Sequence, residues 1–149
     1  MLYRLLPLAL FILLISCTRR PQEYVYFEAI NNSGVRIEIF DKSSAFISYY
    51  APEQGVRRTL ATPAYGVTKI NEANFGSVFN VPSTPLKVVY NNADTVYHYN
   101  DSLSHSGVYL NLLSVRCLFN IKSYDIATYR NGDVGVYTFT PSDYEFAKE

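Results

Sequence analysis

The chain has no tryptophan, one methionine, two histidines and two cysteines, and its charges cancel. Thirteen basic side chains against thirteen acidic ones leave no net charge, so composition does not favour binding to nucleic acid. Two histidines without a spaced cysteine pair are a weak basis for a metal centre, and the candidate ligand set combines His98 and His105 with Asp94 or Asp101. We therefore expect neither a metal nor a cofactor.

Long apolar runs are scarce as well, and the one that exists lies near the start, at residues 5–15. It follows Arg4 and ends at the small residue Ser16. A helix needs about 20 apolar residues to span a bilayer, and this run is too short. A basic residue, a short apolar run and a small residue in this order are typical of a cleaved export signal.

The four residues Leu14-Ile15-Ser16-Cys17 resemble the lipobox of bacterial lipoproteins. The resemblance implies transfer of diacylglycerol to the Cys17 sulfur, cleavage between Ser16 and Cys17, and acylation of the new amino terminus with a palmitate-like chain. Several acyl chains on one residue would hold the protein stably on a membrane, whereas one would not. The alternative is an ordinary secretory signal followed by a chance cysteine.

The chain then divides into a cleaved signal at 1–16, a lipidated tether at 17–23 and one globular domain at 24–149. A domain of this size can bury a sizeable core. With lipid on Cys17, Cys117 has no partner for an internal disulfide. We expect Cys117 to be a small buried hydrophobic residue.

Fourteen tyrosines and nine phenylalanines favour strands, and turn residues separate the apolar segments. Two segments that flank Asn131-Gly132 give the strongest hairpin signal, with a type I′ turn expected there. The predicted hairpins join strands at 24–30 and 35–40, at 86–90 and 95–100, and at 125–130 and 134–140.

Other segments are predicted individually. A strand is expected at 45–50, two separate strands at 56–60 and 65–70 around Thr62-Pro63, a short apolar run at 76–81 and a serine-rich loop at 101–107. The segment 109–121 fits a strand or a helix, and its β-branched and aromatic residues favour the strand, with a helical turn at 120–124. A short helix follows Thr140-Pro141-Ser142-Asp143, because threonine, proline and aspartate occupy the positions of a capping box, and Tyr144 and Phe146 would pack it on the sheet.

Strands spaced by about ten residues and almost no helix predict an all-β fold. The expected architecture is an antiparallel β-sandwich, Ig-like or transthyretin-like, with about seven to nine strands and a short C-terminal helix. A small barrel is the competing architecture.

A second resemblance rests on Asn31-Asn32-Ser33-Gly34, on Asp94-Thr95-Val96 and on the C-terminal segment from Tyr137 to Tyr144. These segments are similar to those of small all-β lipoproteins of Bacteroidota-type bacteria. The resemblance implies possible O-glycosylation at Thr95 and at Ser102 of Asp101-Ser102-Leu103. It also implies the periplasmic face of the outer membrane, because the acidic residues typical of surface display are replaced by Thr18, Arg19 and Arg20.

Catalytic residue types occur together only at Asp101, Ser102, Ser104 and His105. A catalytic triad is normally assembled from separated segments, and the chain has no Gly-x-Ser-x-Gly motif. A solvated polar loop is therefore favoured over a hydrolase, and we expect no enzyme.

Tyrosine pairs at Tyr49-Tyr50 and at Tyr97 and Tyr99 could form a platform for sugar rings. His98 is expected to face solvent or a neighbouring tyrosine. The sequence thus predicts a membrane-anchored structural or interaction module of the envelope, with a carbohydrate- or peptide-binding module as the alternative. The expected partners are the membrane, through the acylated Cys17, and a protein or a glycan.

Overall fold

The computed structural model describes residues 23–41, 45–52, 56–79 and 85–149. The predicted export signal, the cleavage site at Ser16 and Cys17, and most of the tether lie outside these ranges. Crossing a bilayer would take a longer and more apolar helix than any in the described part of the chain.

The described residues form two β-sheets. In the four-stranded sheet, β1 (Tyr24–Asn31) lies between β4 (Arg57–Tyr65) and β9 (Gly132–Phe139), and β8 (Tyr124–Tyr129) pairs with the other edge of β9. In the five-stranded sheet, β2 (Ile37–Phe40) lies between β3 (Phe46–Tyr50) and β5 (Leu86–Tyr90), followed by β6 (Asp94–His98) and β7 (Tyr109–Leu110). Two short helices complete the order, α1 (Phe75–Val78) and α2 (Pro141–Ala147).

This architecture confirms the predicted all-β sandwich with a C-terminal helix. Most strand pairs are antiparallel, but β1 and β9 run parallel at the centre of the four-stranded sheet. The pair β6 and β7, at one edge of the five-stranded sheet, is also parallel. The core lies between the sheets. It is filled by alternate side chains of the strands, such as Val25, Phe27 and Ala29 of β1, because successive residues of a strand point to opposite faces.

The predicted hairpin at residues 24–40 is wrong, because β1 and β2 belong to different sheets. The chain crosses between the sheets after Asn31, whose side chain is buried. Its Nδ2 donates to the carbonyls of Val35 at 2.7 Å and Tyr50 at 3.1 Å, and its Oδ1 accepts from the Ser33 hydroxyl at 2.7 Å. Buried polar groups need such partners, so Asn31 stabilises a crossing between the sheets instead of a hairpin turn.

The prediction of two separate strands at 56–60 and 65–70 is also wrong, because β4 is one strand that continues through Pro63. Pro63 is accommodated because β4 is an edge strand and its pairing with β1 is irregular there: Val25 pairs with Ala64, whereas Phe27 pairs with Ala61. The apolar run predicted at 76–81 is helix α1 in its described part.

The strand favoured at 109–121 is wrong beyond β7. In this segment, hydrogen bonds from side chains take the place of strand pairing. The Asn120 amide donates to the carbonyls of Leu112 at 2.9 Å and Ser114 at 3.0 Å. Ser123 likewise donates to the carbonyl of Cys117. Side-chain bonds to nearby backbone favour turns over sheet. The helical turn expected at 120–124 is confirmed as a 3₁₀ turn at Ile121–Ser123.

The hairpins β5–β6 and β8–β9 are confirmed, but the type I′ geometry lies in the first of them. Asn91 and Asn92 have φ of 51° and 64°, and the Ala93 amide donates to the Tyr90 carbonyl at 3.1 Å. At the other hairpin, Gly132 pairs with Tyr129 as the first residue of β9, so the type I′ turn expected at Asn131-Gly132 does not form.

The capping box of α2 is confirmed. The Asp143 carboxylate accepts from the amide of Thr140 at 2.6 Å and from its hydroxyl at 2.8 Å, and it also pairs with the Arg116 guanidinium at 2.9 Å. Tyr144 stacks on Tyr90 with 6.1 Å between ring centroids. These contacts pack the last helix on the sandwich, as predicted.

Candidate functional site

Cys117 is fully buried, which confirms the prediction of a small hydrophobic residue. Burial raises the pKa of the Cys117 thiol to about 11. A thiol held in its protonated form is a poor nucleophile and a poor metal ligand. Cys117 therefore has a packing role.

His98 is buried, with 1% of its surface exposed, so the predicted alternative of a ring that faces solvent is wrong. It lies on the same face of β6 as buried Val96, and Tyr97 between them points outward. The Leu118 amide donates to Nδ1 at 3.0 Å, while Nε2 has no hydrogen-bond partner among the described residues. Burial lowers the pKa of His98 to about 3, so the ring is neutral.

Tyr49 and Tyr50 do not form a platform, because neighbours on a strand face opposite ways. Tyr50 is 1% exposed, and burial raises its pKa to about 12. Tyr49 is on the surface, with the Arg36 guanidinium 4.6 Å from its ring centroid. The predicted pair is thus one core residue and one isolated surface aromatic residue.

Tyr97 and Tyr99, by contrast, belong to a group of four rings that we call the aromatic cluster: Tyr97, Tyr99, His105 and Tyr109. The His105 ring stacks on Tyr99, with centroids 3.5 Å apart and planes 8° apart. Tyr109 meets both rings edge-on, at 6.2 Å from Tyr99 and 5.4 Å from His105. Tyr97 lies 6.5 Å from Tyr99 and is exposed. The sequence predicted two of these four members.

The loop at 101–107 contains a hydrogen-bonded acid and base but no triad. Nε2 of His105 lies 2.8 Å from Oδ1 of Asp101, which also accepts from the Leu103 amide at 3.0 Å. The bond to His105 is the main cause that lowers the pKa of Asp101. Among the described residues, neither the Ser102 nor the Ser104 hydroxyl is hydrogen-bonded to the ring, so the four residues hold no nucleophile in place.

The candidate metal ligands do not lie together at one site. His98 lies in the core, whereas His105 lies in the aromatic cluster. No group of three or more potential ligand residues occurs within the ranges the structure describes. The two predicted glycosylation sites also differ: Ser102 is exposed in a loop, while Thr95 is half-buried in β6, and both remain predictions.

The loops before and after β7 contain three exposed apolar residues, Leu103, Leu113 and Val115, which we call the loop surface. Their exposed fractions are 65%, 75% and 58%. Asn111 links two of them, since its Nδ2 donates to the Leu103 carbonyl at 2.8 Å and its Oδ1 accepts from the Leu113 amide at 3.1 Å. The sequence missed it, because a strand at 109–121 would have buried Leu113 and Val115. The turn-forming side chains within 109–121 were the sequence signal that could have predicted these exposed residues.

The geometry therefore provides an aromatic cluster and an apolar loop surface, both without an assembled catalytic group. No family model matches the chain, and neither does any curated protein or solved structure.

Proposed function

We propose that this protein is a lipid-anchored lipoprotein of the bacterial envelope, held at the periplasmic face of the outer membrane, and that its β-sandwich is a non-enzymatic interaction module. The observation that carries the proposal is the apolar run of residues 5–15, whose last two residues begin the segment Leu14-Ile15-Ser16-Cys17. The apolar run, the small residue before the cleavage site and the cysteine stand in the order that a lipoprotein signal requires.

The position of the first strand supports an anchor at Cys17. β1 begins at Tyr24, and its pairing with β4 and β9 starts within its first three residues. Only residues 18–23 separate Cys17 from the sandwich. An anchor at Cys17 would therefore hold the sandwich close to the membrane.

The loop surface supports the role of an interaction module. Single exposed apolar side chains are ordinary, but apolar residues grouped on a monomer mark binding surfaces. Leu103 and Leu113 are exposed and are linked through the side chain of Asn111, and Val115 is exposed two residues farther along the chain. A protein partner would cover this area, and Asp101 with His105 would form part of its polar rim.

The test of the anchor is Cys17→Ala. We expect the variant to lose incorporation of labelled palmitate and to move from the membrane to the soluble fraction, because the acyl chains are gone. Cys117→Ala is the matched control, since it removes the other cysteine from the core and leaves the anchor. If the Cys17→Ala protein sediments with membranes in the wild-type amount, the proposal is wrong.

Glycan binding at the aromatic cluster is the second candidate, favoured by the exposed ring of Tyr97 beside Tyr99. An aromatic platform contributes about 0.5–1.5 kcal/mol per stacked ring. We therefore expect Tyr97→Ala to weaken binding of a glycan ligand about three- to tenfold. Tyr49→Ala is the control, because Tyr49 is 38% exposed against 36% for Tyr97 and lies outside the cluster. Equal loss in both variants on a glycan array, or no binding by the wild-type protein, would exclude this site.

A further inference from the structure

Four tyrosines gather at one end of the four-stranded sheet, on the face turned away from the core: Tyr24, Tyr26, Tyr65 and Tyr129. We call this group the tyrosine end. The Tyr24 ring lies 5.5 Å from Tyr26 and 6.0 Å from Tyr65, measured between centroids. Tyr65 is 61% exposed and Tyr129 is 53% exposed. None of these residues belongs to the aromatic cluster or to the loop surface.

Strand pairing brings the four residues together from distant parts of the chain. Tyr24 starts β1 opposite Tyr65, the last residue of β4. The turn of the β8–β9 hairpin lies alongside, because the Tyr24 amide donates to the Asn131 carbonyl at 3.0 Å. A shallow cavity of about 330 Å³ lies between Tyr24, Tyr26 and Tyr129, and Arg130 is part of its wall.

The tyrosine end is also where the tether reaches the sandwich. The seven residue-to-residue steps from Cys17 to Tyr24 can span at most about 25 Å. The opposite end of the sheet, where β1 ends at Asn31, is about 25 Å farther along the strand. A lipid on Cys17 therefore keeps the tyrosine end near the bilayer surface and leaves the opposite end free to extend away from it.

The chemistry of this end matches the headgroup layer of a membrane. A tyrosine ring has an apolar body and a polar hydroxyl, which suits the boundary between acyl chains and water. Arg130 is exposed, and the tether adds Arg19 and Arg20 against the single acid Glu23. Each arginine near an anionic lipid surface contributes about 1 kcal/mol.

We propose that the tyrosine end is a membrane seat, a proposal that rests on anchoring at Cys17: Tyr24, Tyr26, Tyr65 and Tyr129 contact the lipid headgroups and hold the sandwich upright on the bilayer. This orientation places β1 roughly along the membrane normal. It presents the opposite end, with Tyr49 and helix α2, to the periplasm.

Because the chain has no tryptophan, single-tryptophan variants give a background-free test. Tyr129→Trp places an indole at the tyrosine end. Tyr49→Trp places one at the opposite end, since the last residue of β1, Asn31, bonds to the carbonyl of the adjacent Tyr50 at 3.1 Å. The full-length lipoproteins are purified from membranes and reconstituted in phosphatidylethanolamine and phosphatidylglycerol vesicles that carry a spin label at the headgroup.

The expected result is quenching several-fold stronger for Tyr129→Trp than for Tyr49→Trp, with a shift of its emission to shorter wavelength. The double variant Tyr129→Trp with Tyr65→Asp should be quenched no more strongly than Tyr49→Trp, because a carboxylate is repelled from the anionic headgroups. If the two indoles are quenched equally and the protein mass includes the lipid, the membrane seat is wrong but the anchor at Cys17 stands. A mass without lipid overturns the anchor, and the seat with it. An emission shift that follows protein concentration instead of lipid assigns the tyrosine end to a second copy of the chain and also overturns the seat.

Discussion

Gly132→Ala is expected to destabilise the domain by about 4 kcal/mol, from strain in a backbone region that only glycine adopts easily and from displacement of neighbouring backbone. Gly132 has φ of +145°, and a Cβ built on it would lie 1.9 Å from the Tyr24 carbonyl oxygen. The atom in the way is backbone, so a rotamer change cannot relieve the contact. The β8–β9 hairpin would have to move away from the start of β1.

The matched control is Gly107→Ala. Gly107 also has a positive φ, of +79°, but a Cβ there would meet nothing within 4 Å. Its cost should be about 1 kcal/mol, the ordinary penalty for a left-handed residue. Denaturant unfolding measures both midpoints. If the two variants unfold at the same midpoint, the close approach of the hairpin to Tyr24 is not as described.

Acid should destabilise the domain through His98, by about 2.3 kcal/mol between pH 6.5 and pH 4.5. The pKa of the folded-state ring is about 3 because of burial, whereas an unfolded histidine has its ordinary value of about 6.5. Below pH 6.5 the unfolded state binds a proton that the folded state does not, so stability falls as pH falls. The slope is about 1.4 kcal/mol per pH unit.

Unfolding free energies measured at pH 7, 5.5 and 4.5 check the slope. His98→Asn should flatten it, since asparagine does not titrate and its carbonyl oxygen can still accept from the Leu118 amide. His105→Asn should keep the contribution of His98. Carboxylates act in a lower pH range than His98. The pKa of Asp101 is lowered mainly by its hydrogen bond from His105, so Asp101 stabilises the fold above its ordinary pKa of 3.8. This contribution is lost only at lower pH. A wild-type slope that survives in His98→Asn would contradict the assignment.

Local signals predicted local structure well. The β5–β6 hairpin and the capping box at Thr140 and Asp143 depend on residues a few positions apart, so their partners are visible in the sequence. The crossing after Asn31 was missed because its partners include the Tyr50 carbonyl, nineteen positions away. The turns after Leu110 were missed because alternating apolar residues suggested a strand, while the side-chain bonds of Asn120 and Ser123 favoured turns.

The same reasoning explains what the sequence showed of the candidate surfaces. Tyr97 and Tyr99 are two residues apart on an extended segment, so their common face was predictable. The membership of His105 depends on how its loop folds back onto Tyr99. The tyrosine end depends on the pairing of β1 with β4 and on the position of the β8–β9 hairpin, which no local pattern reveals.

The parallel pairing of β1 with β9 has a consequence for how the chain matures. It joins Tyr26 to Val134 and Asn31 to Phe139, so the first strand docks against the last. Sheets that depend on such non-local pairing fold slowly, on timescales of about milliseconds to seconds. The four-stranded sheet cannot close until residue 139 has been synthesised. If the chain is exported as we propose, the four-stranded sheet would form only after the C-terminal strand has also crossed the membrane.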